Sequence, residues 1–77
     1  MGSLEIPEQT PIEKLETSIV VNKTKRVINS CDNWRQLETA RRYAELARQR
    51  TIDLNGYLEY PKILNCLIDK EIQLNDL

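Results

Sequence analysis

The side chains able to do chemistry are few, and their spacing does not suit catalysis. The chain carries Cys31 and Cys66 but no histidine, so a serine or cysteine nucleophile would lack its ordinary general base. Gly2 and Gly56 belong to no phosphate-cradling loop, which excludes a P-loop or a dinucleotide fingerprint. Asp69 and Glu71 form a carboxylate pair two residues apart. A helix turns such neighbours in different directions, so they cannot share one acid–base task. A chain of 9.0 kDa also has little room for a closed, water-excluding pocket. The expectation is a non-enzymatic protein with no catalytic residue, no cofactor and no small-molecule substrate.

The two cysteines stand 35 residues apart with no Cys-x-x-Cys. A structural zinc site needs about four Cys or His ligands, so no metal is expected. No signal-peptide pattern or long apolar run is present. The cysteines therefore read as buried hydrophobes in a reducing cytoplasm, with a single disulfide as the alternative. Asn22-Lys23-Thr24 fits a glycosylation acceptor but is taken as accidental without a secretory context.

Basic residues offer the sharper chemistry. Arg35 and Arg42 are seven apart, nearly in line on one side of a predicted helix, and Lys23, Lys25 and Arg26 extend them from the helix before. Together they are candidate phosphate contacts, with an affinity that would fall steeply with salt. Against this, Glu38 and Glu45 stand three or four residues from Arg35, Arg41, Arg42 and Arg48, and such pairs would consume much of the positive field. Aromatics do not interleave with the basic residues as stacking platforms would; Trp34 is expected in the core. Protein docking is the other use of this segment, through Arg35, Arg41, Arg42, Arg48 and Leu46. Arg41 and Arg48 border the apolar stripe, where an arginine lays its stem along the core or reaches a carboxylate across an interface. Leu46 falls off the stripe, free to touch a third element or a partner.

Charge is segregated along the chain. Residues 1–17 sum to −3, residues 18–50 to +5 and residues 51–77 to −3, so a net charge of −1 hides a basic middle between acidic flanks. Such polarity bears on association rather than on fold. The acidic C-terminal segment is suited to face another subunit's basic middle.

These residues need elements to hold them. Residues 1–9 read as a loose arm before a single domain over 10–77. Thr10-Pro11-Ile12-Glu13 is a helix start, with a capping threonine, a proline where no N–H is missed, and a glutamate to complete the box. Ile12, Leu15, Ile19, Val20, Val27, Ile28 and Cys31 then recur at helical steps, predicting one helix to about residue 30 with these residues inward. The β-branched run at 17–21 is its weak point. Asn33 and Gln36 suggest a second capping box, and Trp34, Leu37, Ala40, Ala44 and Ala47 a second inward stripe. Asn55-Gly56 marks a turn, with a short helical turn possible at 54–59. A last helix begins near Pro61 with Ile63, Leu64, Leu67, Ile68 and Ile72 inward. The fold class is all-α, a three-helix hairpin or small bundle. At 77 residues it would bury only roughly 60% of its unfolded surface, so its stability is thin or borrowed from a partner.

The stretch INSCDNWRQLETARRY, Ile28 to Tyr43, resembles an element of small helical accessory proteins of tailed bacteriophages. The C-x5-LE spacing of Cys31, Leu37 and Glu38 is also similar to the Hha/YmoA family, helical modulators that bind the nucleoid protein H-NS. Arg35 departs from that family, which has an acidic residue two places before the leucine. Asp69 matches its later buried aspartate only with an insertion around residues 51–61. The resemblance implies a compact, virus-encoded accessory protein of the host cytoplasm with a regulatory role, which binds another macromolecule in a DNA-related process. Partner binding or self-association is the function expected, with nucleic-acid binding through residues 23–50 as the alternative.

Overall fold

A computed structural model describes residues 9–76. The expected loose arm lies outside that range except for Gln9, as does Leu77. Three helices, α1 (Pro11–Asn29), α2 (Trp34–Asp53) and α3 (Tyr60–Asn75), pack pairwise on one another. A 3-10 turn, Tyr57–Glu59, joins the last two, and no strand occurs among the described residues. The protein is an all-α three-helix bundle.

Local chemistry sets the boundaries. Thr10 Oγ1 accepts from the Glu13 N–H at 3.1 Å, and Glu13 Oε1 accepts from the Thr10 N–H at 3.0 Å. This reciprocal pair satisfies two orphan donors at the start of α1. The β-branched run stays helical, since α1 is continuous to Asn29. At α2, Asn33 Oδ1 accepts from the Gln36 N–H at 2.9 Å, but Gln36 Oε1 takes the Asp32 N–H at 2.7 Å. The second box therefore closes one residue earlier than its pattern predicts.

The corner after α2 is clasped to the start of α1. Asn55 stands at φ 58°, a left-handed conformation that asparagine tolerates better than most residues. Its side chain donates to Glu13 Oε2 at 3.1 Å. Gln9 Nε2 donates to Thr17 Oγ1 at 2.8 Å and to the Leu54 carbonyl at 3.0 Å. A Cβ at Gly56 would lie 2.6 Å from both Gln9 and Thr17 side-chain atoms, so the close approach requires glycine.

The core joins Val21, Ile28 and Cys31 of the first hairpin arm to Leu37, Ile63 and Leu67, with Ala40, Ala44 and Ala47 between. Thr17, Thr24 and Thr51 are also buried. Each hydroxyl donates to a carbonyl of its own helix at 2.7 Å: Thr17 to Glu13, Thr24 to Val20, Thr51 to Arg48. The hydroxyl is thereby satisfied and the methyl is left to pack.

The inward faces of α1 and α3 differ from expectation. Ile28 and Cys31 are buried as expected, but Ile12, Leu15 and Ile19 point outward, and Thr17, Val21 and Thr24 are buried instead. Small side chains on this face, set against the alanines of α2, let the two helix axes approach closely. Turning Leu15 and Ile19 inward would wedge them apart and break the contact of Thr17 with Gly56. On α3, Ile63, Leu67 and Leu74 are buried while Leu64, Ile68 and Ile72 are exposed. Trp34, expected in the core, is 46% exposed. It lies about 100° round the helix from the line of Leu37, Ala40, Ala44 and Ala47, and Leu37 fills the interior at that level.

Candidate interaction surfaces

Two open, apolar grooves run between the helices. The first lies between α1 and α2. Its floor is Ile19, Val20, Tyr43 and Ala47, its lip is Leu46, and its charged lining residues are Lys23 and Arg50. Leu46 is 74% exposed and Ile12 70%, whereas Thr17 and Thr24 of α1 are buried. Arg50 reaches Glu16 at 3.3 Å; Lys23 has no carboxylate within 4.0 Å among the described residues. The second groove lies between α2 and α3, over Leu64, Leu67, Ile68 and Tyr60, with Glu38, Glu45 and Glu71 among its lining residues. Its lining residues Leu64 and Ile68 continue through Ile72 as an exposed ridge, one turn apart along a single row of the helix surface.

The expected site residues are distributed over these surfaces rather than gathered. Leu46 joins the first groove. Arg41 pairs with Glu71 of α3 within the same chain, which uses its charge to tie α2 to α3. Arg48 lines a shallow hollow with Thr51, Ile52, Tyr57 and Tyr60. Arg35 and Arg42 are exposed, and Arg42 lines the second groove. Neither these nor Arg48 has a carboxylate within 4.0 Å among the described residues. The expected pairs of Glu38 and Glu45 with α2 arginines are therefore not formed; Arg41 reaches across to α3 instead. Lys23 belongs to the first groove, Lys25 stands by the Cys66 thiol at the α1–α3 seam, and Arg26 is exposed. The five candidate phosphate contacts thus lie on different sides of the bundle.

The thiols are unsuited to reaction. Both cysteines are free. Burial raises the Cys31 pKa, with Lys70 opposing the shift, and burial likewise raises that of Cys66 against the nearby Lys25. Cys31 Sγ donates to the Val27 carbonyl at 3.3 Å. Among the described residues no group of His, Cys, Asp or Glu side chains is placed to hold a metal. No helix there is long and apolar enough to cross a membrane. Asp69, aligned by resemblance with a buried aspartate, is exposed.

Sequence reasoning assigned Ile12, Leu15, Ile19, Leu64, Ile68 and Ile72 to the core and so missed the apolar surface. A signal was present: each of these helices carries two apolar stripes, and a bundle this small can bury one. Comparison with known proteins adds no relative to this geometry: no family model, curated protein or solved structure matches the chain.

Proposed function

We propose that this is a non-enzymatic helical accessory protein that acts by docking on protein, another chain or its own copy. The observation that carries this reading is an inversion. α1 buries threonines while Ile12, Leu15 and Ile19 face solvent. Exposed apolar patches on small domains mark interaction surfaces, and a thin core gains from being covered. The likeness of residues 28–43 to phage accessory proteins supports a virus-encoded regulatory role in the host cytoplasm.

Nucleic-acid binding is the second reading, favoured by Arg35 and Arg42, which lack carboxylate partners among the described residues. The scatter of Lys23, Lys25 and Arg42 over separate faces weighs against it. One comparison separates the two: affinity for duplex DNA and single-stranded RNA at two salt concentrations, beside sedimentation of the protein alone. The docking reading expects weak nucleic-acid binding and protein association that Leu46→Glu disrupts. Steeply salt-dependent binding lost in Arg35→Glu/Arg42→Glu, and indifferent to Leu46→Glu, would replace it with phosphate contact.

A further inference from the structure

We infer that the occupant of the α1–α2 groove is the α3 ridge of a second copy, joined head to tail. This deepens the docking reading above and rests on it. The two apolar surfaces of one chain differ in the sign of their surroundings. The groove is lined by Lys23, which has no carboxylate partner among the described residues, and by Arg50, which is paired with Glu16; Arg26 is exposed one turn beyond Lys23. Asp69, on the helix that carries the ridge, and Asp76, which caps its C-terminal end, are exposed. The bases of α3 are engaged elsewhere: Lys70 donates to the Asn29 carbonyl at 3.1 Å, and Lys62 pairs with Glu59. Among the described residues around the ridge, the unpaired Glu38, Glu45, Asp69 and Asp76 outnumber the one unpaired base, Arg42. A basic apolar groove and a net acidic apolar ridge on the same molecule are therefore complementary to each other.

Shape agrees with charge. Leu64, Ile68 and Ile72 form a row about 12 Å long, the kind of ridge that packs into the furrow between two helices. The groove offers such a furrow, floored by Ile19, Val20 and Ala47 and lipped by Leu46. Pairing groove with groove, or ridge with ridge, would cover one apolar surface and leave the other in water. A heterologous contact covers both on every interior subunit, and it closes into a ring or grows according to the rotation between neighbours.

Mixing experiments test this directly. Two variants each lose one surface: Ile19→Glu/Leu46→Glu in the groove, and Ile68→Glu/Ile72→Glu on the ridge. The altered side chains are exposed, so circular dichroism should show unchanged helicity. Ile19→Ala/Leu46→Ala and Ile68→Ala/Ile72→Ala, which keep helix-forming residues, serve as the milder pair. In analytical ultracentrifugation the wild type should form species larger than a dimer as concentration rises, more weakly at high salt. Each variant alone should be monomeric, at least about tenfold weaker in association. Their equimolar mixture should form a 1:1 dimer and stop, because one intact groove meets one intact ridge. Dimerisation of either variant by itself would show like-with-like pairing and overturn the inference, as would a wild type that stays monomeric or stops at a dimer. If a monomeric wild type still binds a different protein through Leu46, only head-to-tail assembly falls. If its sole ligand is nucleic acid, bound equally by both variants, the docking reading falls with it.

Discussion

Gly56 is the residue where the smallest change should be felt most. Any Cβ there meets Thr17 and Gln9 at 2.6 Å, and Thr17 is fixed by its own hydrogen bonds. Gly56→Ala should therefore destabilise by about 1–3 kcal/mol, the range for overpacking a tight contact, read as a lower midpoint in urea. Glu13 gives a second expectation. The Thr10 backbone N–H holds its carboxyl below the ordinary carboxylate range, with the Asn55 side chain acting in the same direction. A carboxylate with a depressed folded-state pKa stabilises above its unfolded value, and that contribution is lost as pH falls through the folded one. Wild type should thus lose stability below about pH 4.3 more steeply than Glu13→Gln, measured as urea midpoint against pH. Cysteine labelling is a third. Cys66 is half-buried and Cys31 buried, and both are raised in pKa, so both should alkylate slowly at neutral pH, Cys66 faster than Cys31.

Among the elements, α1 defines which face of the hairpin is interior. Ile28 is sealed while Ile19 is more than half exposed. Ile28→Ala should cost about 2–5 kcal/mol, and Ile19→Ala within about 0.5 kcal/mol in the monomer. Equal costs, measured by chemical denaturation, would show that α1 is rotated from the face described. Much of this level was legible in the sequence. The capping box at Thr10, the Asn55-Gly56 turn, the short turn after it and the α2 stripe of Leu37 and alanines all declare themselves through local chemistry, which needs only neighbours in sequence. The inward faces of α1 and α3 did so only in part: Ile28, Ile63 and Leu67 are buried as their spacing predicts, while Ile12, Leu15, Ile19, Leu64, Ile68 and Ile72 are not. Choosing between two apolar stripes depends on how close the partner helix comes, and that is set by Ala40, Ala44, Ala47 and Gly56 far along the chain. Threonine at positions 17 and 24 looks polar in a sequence; only its bond to the preceding turn makes it a core residue.

At the scale of the whole molecule, charge and apolarity are separated by face as well as by segment. The sequence showed a basic middle between acidic ends, but not that Arg41 would be spent on Glu71, Arg50 on Glu16, and Lys25 turned toward α3. Those placements are tertiary and leave no trace in spacing. If association covers the outward isoleucines and leucines, folding and assembly are linked by mass action. Melting temperature should then rise with protein concentration, and Ile68→Glu/Ile72→Glu should abolish the rise while leaving the dilute value within a few degrees. A concentration-independent melt would indicate a bundle that stands alone.

The bond from Gln9 to the Leu54 carbonyl joins positions 45 apart in the chain. Trimming the protein to begin at Pro11, a natural choice for anyone tidying its front end, would remove the helix cap and also unfasten the distant bend into α3. Damage from that cut would surface 45 residues away.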